Sequence, residues 1–399
     1  MDIELFQKEA FGELVPVKGS TPAGVPWQHF AFLPHPLGDD SPPLDPTCYR
    51  RVAEARASLA SLEATANRLP NPRMFRTASL RLEAQATAAL EGTYEPLERV
   101  LAADDDDTSD PDLLEVLNYL LVARQAFTWS EQGRGWGVRD LAELQALLVR
   151  GTASEREYSG QVRPIQVVIG RRESAAPGEL PIKAARYVPP PPGPDLEARL
   201  RDVSDWMQAD HSEAIDPIVA AAMGHYAFEA AHPFHDGNGR IGRLLIVMQL
   251  LASRTLTEPT LTVSPWFEAR RTEYYDALFG VSARSDWSTW VSFFARGLGE
   301  SADATRARML ALVSVQADLK ERLQSTPIRT ANARILIDYA VGHATFTVGQ
   351  AAAALGMSHA GAKKLIDSMV THGLLAPWGK RNYNRQFHAP EVMRTLLQG

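Results

Sequence analysis

The sequence predicts a mainly α-helical protein with one short β-hairpin in its middle and a winged helix-turn-helix at its C-terminal end. Three observations carry this. Apolar residues recur at three- and four-residue steps, as in Ile215, Ile218, Val219, Ala222, Met223 and Tyr226, the stripe that a helix buries. A lone β-branched run, Val162, Ile165, Val167, Val168 and Ile169, ends at Gly170, and Tyr187-Val188 return after a polar loop, the pattern of a hairpin. From about Thr326 the order helix, helix, turn, helix, hairpin is that of a winged helix-turn-helix.

The elements follow in order. Residues to about 47 are rich in proline and glycine and read as an extended arm over a core. Helical spacing runs from Cys48 to about Leu69, where Leu69-Pro70-Asn71-Pro72 ends it, because proline disfavours helical geometry in the residue before it. A second helix is expected over about Ser79–Glu91, stopped by Gly92. Asp104 to Asp107 form an acidic loop, and helices follow at about Asp112–Gln125 and Val138–Val149. After the hairpin, Leu244 to Leu251 is almost wholly apolar, which places that helix at the centre of a domain. Toward the end, helices are expected at about Ala331–Ala340, at Val348–Leu355 behind a Thr347 cap, and from Ser358 to about His372. The implied organisation is an N-terminal arm and helix over 1–110, a core over 111–325 and the terminal module over 326–399.

Composition excludes some roles. The chain has 399 residues, a formal charge of −7 and one cysteine, Cys48. A mildly acidic whole argues against a general nucleic-acid coat protein. A single cysteine forms no internal disulfide, so a reducing cytoplasm is expected. Met1-Asp2-Ile3-Glu4 lacks signal-peptide character. No apolar run approaches the ~18 residues that span a bilayer, so no membrane partner is expected.

The chemistry concentrates in His232-Pro233-Phe234-His235-Asp236-Gly237-Asn238-Gly239-Arg240-Ile241-Gly242-Arg243. Gly237 and Gly239 permit backbone angles that let successive N–H groups converge. Asn238 tolerates such geometry and adds an amide donor. The helix that follows contributes its positive end. Arg240 and Arg243 lie three apart, on one face, and present forked donors that match phosphate oxygens. Asp236 is a hard oxygen ligand, and a magnesium ion bridging phosphates needs only one or two protein carboxylates. His232, with an ordinary pKa near ~6.5, suits a general base toward a hydroxyl. These parts describe transfer of a phosphorus group from a nucleotide to an alcohol. A transition-metal site on His225, His232, His235 and Asp236 is the competing reading; it leaves Asn238, Arg240 and Arg243 without a role.

This segment resembles the Fic motif, HxFx(D/E)GNGRxxR, at every defined position. Fic proteins mostly transfer AMP from ATP to a Ser, Thr or Tyr hydroxyl of a target protein. The resemblance implies a Fic-type helical bundle with a β-hairpin flap, with His232 as base and Asp236 as magnesium ligand. It implies Phe234 as core anchor, Gly237, Asn238 and Gly239 as phosphate cradle, and Arg240 and Arg243 on the outer phosphates. The hairpin over about 162–188 is similar to the flap that clamps a target segment by strand pairing, with Val167, Val168 and Ile169 on its docking edge. Tyr187 to Pro192 and Asp286 to Trp290 also resemble family text.

Thr87-Ala88-Ala89-Leu90-Glu91-Gly92 is similar to the inhibitory motif (S/T)xxxE(G/N) of autoinhibited Fic proteins, in the class with an N-terminal inhibitory helix. Thr87 and Glu91 share a helix face with Glu83. The resemblance implies that Glu91 pairs with Arg243 and removes the guanidinium that would hold the γ-phosphate. Ala88 stands where the usual motif has a second serine. In some relatives this glutamate instead serves removal of AMP.

In the terminal module Arg329, Arg334, Lys363, Lys364, Lys380, Arg381, Arg385 and Arg394 oppose only Asp338, Asp367 and Glu391. A basic winged helix is a candidate DNA contact, with packing or homodimerisation as the other use. The leading expectation is thus an autoinhibited protein adenylyltransferase that modifies a target and itself, with ATP as co-substrate and Mg²⁺ as cofactor. AMP removal, UMP transfer, phosphotransfer and a nucleotide-sensing DNA-binding regulator are the alternatives.

Overall fold

The computed structural model describes residues 1–21, 24–68, 72–104, 110–379 and 385–398. The fold is mainly α, with three small antiparallel sheets among the described residues. The expected extended arm is a paired ribbon instead: β1 (Gly12–Ser20) and β2 (Pro26–Pro34) form a hairpin in register from Gly12↔Pro34 to Ser20↔Pro26. Composition missed it because prolines sit at ribbon positions whose N–H is not needed, and a two-stranded ribbon accepts them as edge strands do. Phe32 N donates to Val188 O at 2.9 Å and moors the ribbon to the hairpin region that follows.

Next come α1 (Pro46–Arg68), α2 (Arg76–Glu91), α3 (Leu97–Ala102), α4 (Pro111–Glu131) and α5 (Val138–Val149). The α5 bounds are those the apolar spacing predicts. α4 outlasts its expected end by a turn and a half, and α3 was not legible in so short a segment. Gly92, with φ of 104°, closes α2 in the left-handed conformation; its N–H reaches Ala89 O at 3.0 Å and Thr93 N reaches Ala88 O at 3.0 Å, a glycine-dependent helix stop. The expected stop at Leu69-Pro70-Asn71 and the acidic residues Asp105 to Asp107 lie outside the described residues.

The mid-chain hairpin is shorter and later than its β-branched run. β3 (Ile169–Arg171) pairs with β4 (Ala185–Tyr187) through Ile169↔Tyr187 and Arg171↔Ala185, with the short helix α6 (Pro181–Ala184) between them. Val167 and Val168 precede the strand rather than belong to it. β propensity marked an apolar segment here, but pairing depends on where the partner strand lies.

Helices α7 (Pro194–Gln208), α8 (Pro217–Ala231) and α9 (Asn238–Ala252) follow, then α10 (Ser264–Glu268), α11 (Arg271–Arg284) and the 38-residue α12 (Trp287–Gln324). α8 and α9 are buried along nearly their whole length and are joined by the glycine loop. Asp216 caps α8 by accepting from Ile218 N at 2.9 Å, and Asp286 caps α12 by accepting from Thr289 N at 3.2 Å. α1 lies along α12, while α2 packs on α4, α9 and α10. α2 is thereby held against the start of α9, and this contact positions the site.

The terminal module comprises α13 (Ala331–Gly342), β5 (Phe346–Thr347), α14 (Val348–Leu355), α15 (His359–Thr371), β6 (Ala376–Trp378), β7 (Gln386–His388) and α16 (Pro390–Leu397). Its sheet has the order β5-β7-β6. Thr347 and Gln350 cap α14 reciprocally, and Ser358 caps α15 by accepting from Gly361 N at 3.2 Å. β6 starts only at Ala376, because Gly373 and Leu374 still bond back to α15. Lys363 is paired with Asp367 at 2.6 Å, and Lys380 and Arg381 lie outside the described residues. One continuous apolar core runs from the ribbon into this module. No described helix is long and apolar enough to cross a membrane.

Candidate active site

The site forms where α8 ends and α9 begins. His232 terminates α8 in a left-handed conformation, φ 46° and ψ 60°, a rare geometry for a side-chain-bearing residue that clusters at functional positions. Its N–H still reaches Phe228 O at 3.0 Å. Burial pushes its pKa down to about 4 and the Arg163 charge adds to this, while Glu91, the Glu229 carbonyl and Asp236 oppose. The imidazole is therefore uncharged at neutral pH and able to accept a proton. A polyanion placed beside it raises its basicity.

Phe234 is fully buried. Asn238 closes the loop onto it: Phe234 N donates to Asn238 Oδ1 at 2.8 Å, and Asn238 Nδ2 donates to Phe234 O at 2.8 Å. The Asn238 side chain thus holds the turn, and its main-chain N–H stands at the start of α9. Gly237, with φ of 85°, is the residue that needs backbone freedom. Gly239 does not; it has no positive φ. A Cβ there would run into the carboxylate of Glu91 and lie 2.9 Å from Arg243 Nη1, so this glycine leaves the space that the ion pair occupies. The first bond of α9 runs from Ile241 N to Gly237 O at 3.1 Å. The main-chain N–H groups of 238 to 240 consequently have no partner within the helix, the arrangement that binds anions.

Both arginines are engaged. Arg243 Nε donates to Thr87 Oγ1 at 2.8 Å, and its Nη2 donates to Thr87 O at 3.1 Å and to Glu91 Oε1 at 2.7 Å. Burial pushes the Glu91 carboxyl up, but the Arg243 charge and hydrogen bond prevail and hold it below its ordinary value. Arg240 Nη2 donates to Asp236 Oδ1 at 2.9 Å, and its Nη1 pairs with Glu115 of α4. Burial raises the Asp236 carboxyl, yet Arg240, Ser154 and the Gly237 N–H together hold it ionised below the usual range. Ser154 Oγ donates to the other Asp236 oxygen.

The histidines do not assemble a transition-metal site. His225 is buried, with Nδ1 on Gly242 O at 3.0 Å and Nε2 on Tyr274 OH at 2.7 Å. His235 Nε2 bonds Ser154 O at 2.7 Å. Among the described residues, the group of three metal-capable side chains that converges is Glu95, Asp110 and Asp112, away from the loop. For a magnesium ion the donor set does fit. Asp236 is ionised, its side chain keeps 36% exposure, and one carboxylate suffices for a cation that keeps its waters and binds phosphate.

Four residues were not singled out in the sequence. Arg163 ties the segment before β3 to the loop. Glu115 and Ser154 hold Arg240 and Asp236. Glu229, a lone acid within the apolar α8, was the most legible of them. Its neighbour Gly242 leaves room for it, since a Cβ there would lie 2.3 Å from Glu229 Oε1. Burial pushes the Glu229 carboxyl up to about 8, with Arg243 opposing and Glu91 adding. Between its ordinary value and about 8 the folded state keeps a proton that the unfolded chain has lost. Stability therefore falls as pH rises through that window. Glu229→Gln is expected to raise the melting temperature at pH 9 by at least ~2 °C and to change it little near pH 5, as thermal melts at the two pH values will show.

Ile169 takes the first pair of the hairpin, and Val168 is 36% exposed beside it. Tyr274 is core, fully buried against His225 and Phe267; Tyr275 is half-buried.

Comparison with known proteins agrees with this architecture. The family model described as "Fic/DOC family" matches residues 137–250, and that described as "Fic/DOC family N-terminal" matches 49–128. The chain is 31% identical over 158 residues to "Protein adenylyltransferase Fic" of Drosophila willistoni, covering 40% of this chain and 27% of that protein. It is 31% identical over 159 residues to "Protein adenylyltransferase fic-1" of Caenorhabditis elegans, covering 40% and 26%. The aligned part thus spans about a quarter of the length of these curated relatives. A crystal structure of a Fic family protein from Desulfovibrio desulfuricans G20 superposes with a TM-score of 0.51 at 23% identity, over 88% of this chain and 98% of that one, a similarity of fold.

Proposed function

The chain belongs to the Fic/DOC family, and on that premise we propose that it is a protein adenylyltransferase restrained by its own α2 helix. The observation that carries this is the placement of His232 at the end of α8, directly before the open N-terminus of α9 with its two arginines. ATP lies with its phosphates on the N–H groups of 238 to 240. The acceptor hydroxyl of a Ser, Thr or Tyr gives its proton to the His232 imidazole as its oxygen attacks the α-phosphorus. The bond from that phosphorus to the bridging oxygen breaks, and pyrophosphate leaves with the electron pair. Asp236 would hold the magnesium ion, which neutralises phosphate charge when bound. Arg240 and Arg243 balance the charge that develops on the leaving group. The target segment docks beside Val167, Val168 and Ile169 by strand addition.

Restraint follows from Glu91. While its carboxylate occupies Arg243, that guanidinium is not offered to the γ-phosphate, and Thr87 holds Nε and a second Nη2 donor. Parallel incubations with α-labelled and γ-labelled ATP and Mg²⁺, on the parent chain and on Glu91→Gly, test the proposal. Label entering protein from the α position alone is the expected result. Label from the γ position would mean phosphotransfer, and no label from either position in either protein would overturn the enzymatic reading.

A further inference from the structure

Arg163 is a buried cation whose hydrogen-bond acceptors are main-chain carbonyls. It is 1% exposed. Its Nε donates to His232 O at 2.8 Å, its Nη1 to Ile165 O at 3.0 Å and its Nη2 to Pro190 O at 2.5 Å. Its own N–H donates to Pro233 O at 2.9 Å. No carboxylate pairs with it among the described residues, and burying a guanidinium without a counter-ion is costly; burial lowers its pKa to about 10. The three carbonyls belong to three segments: the chain before β3, the proline run after β4, and the end of α8. The His232 carbonyl lies past the helix end in a left-handed turn, so the helix does not bond it and an external donor must.

We propose that Arg163 is a positioning residue that joins the hairpin to His232, fixing the left-handed turn and setting the electrostatic field on the imidazole. The inference rests on the reading of His232 as proton acceptor. The groups facing that imidazole are Arg163 from the hairpin side, Glu91 from α2, Asp236 from the loop and the Glu229 carbonyl from α8. Arg163 is the cation in this set, so it acts against protonation of the ring. A strand added at the hairpin and the base that would deprotonate its hydroxyl are thereby held by one side chain. The motif supplies the base, and Arg163 sets its direction and readiness.

Two substitutions separate the two tasks. Arg163→Gln keeps a donor and removes the charge; Arg163→Lys keeps the charge and loses the fork. Histidine ring titration by NMR on the full chain, with His232→Ala identifying the His232 signal, reads the field without any nucleotide. In the parent chain the ring stays neutral down to pH 5. In Arg163→Gln its midpoint is expected to rise by ~1 pH unit or more into the window between 5 and 7, whereas in Arg163→Lys it stays below 5. The rate of AMP transfer in a Glu91→Gly background is expected to fall about tenfold in Arg163→Lys with the KM for ATP changed less than about twofold, as misalignment of a reacting group predicts.

Equal midpoints in Arg163→Gln and the parent chain overturn the electrostatic part. An unchanged rate in Arg163→Lys overturns the positioning part, and decides alone if the glutamine variant does not fold. A shifted midpoint in a chain that transfers no AMP would remove the adenylyltransferase reading and leave the Arg163 assignment standing.

Discussion

Replacing Glu91 with glycine is expected to raise self-AMPylation roughly ten- to a hundredfold. Glu91 Oε1 accepts from Arg243 Nη2 at 2.7 Å, and the Arg243 side chain is 1% exposed. Hydrogen bonds to charged groups are worth about 1.5–3 kcal/mol, and each 1.4 kcal/mol is tenfold in an equilibrium. Releasing this bond returns that free energy to nucleotide binding in the orientation that exposes the α-phosphorus. Glycine also ends α2 immediately before Gly92, whose left-handed φ already closes the helix, so the added cost is about 1 kcal/mol of helix propensity. Thr87 still holds Arg243 Nε at 2.8 Å and one Nη2 donor at 3.1 Å, so the guanidinium stays near its present place, with the Nη2 donor that Glu91 held released. Intact-mass spectrometry after incubation with ATP and Mg²⁺ measures the gain. Equal modification of the parent and the variant would show that Glu91 does not restrain the site.

His232→Ala is expected to lose ~10²–10⁴ of that activity, the usual worth of a general base, and to do so in the Glu91→Gly background as well. The fold should tolerate the change, since Pro233, Phe234 and Asn238 keep their contacts. Acid stability gives a second readout. The His232 pKa is lowered to about 4. Below the ordinary histidine value near ~6.5 the unfolded chain therefore takes up a proton that the folded chain refuses. The parent loses stability as pH falls from there toward 4, and the alanine variant is spared that loss. At pH 5 the difference is of order 2 kcal/mol in favour of the variant, and urea unfolding at pH 7 and pH 5 measures it. Retained AMP transfer by His232→Ala would move the role of base to another group.

Much of the fold was legible because it is local. The α5 bounds, the Gly92 stop and the Thr347 and Ser358 caps each depend on residues within a turn of one another. The β elements were less legible. The ribbon of β1 and β2 is proline-rich, and the β-branched run at Val167 and Val168 pairs only from Ile169 onward, because pairing belongs to two segments at once. Within the site, the resemblance named Glu91 and Arg243, and α2 places them in contact. Two residues of the loop have structural tasks that the sequence does not show. The Asn238 side chain braces Phe234, which leaves its main-chain N–H at the start of α9. Gly239 has no positive φ and leaves room for Glu91.

The sequence by itself determined that a neutral-capable imidazole, a carboxylate and two guanidiniums sit at one helix–turn–helix joint, because a dozen contiguous residues carry that joint and its geometry is short-ranged. Only the tertiary structure decided which charges meet across it. Glu115 on Arg240, Glu91 on Arg243 and Arg163 on the His232 carbonyl join residues 125, 152 and 69 positions apart. No periodicity links residues so distant; helix packing brings them together, and burial makes each pairing obligatory.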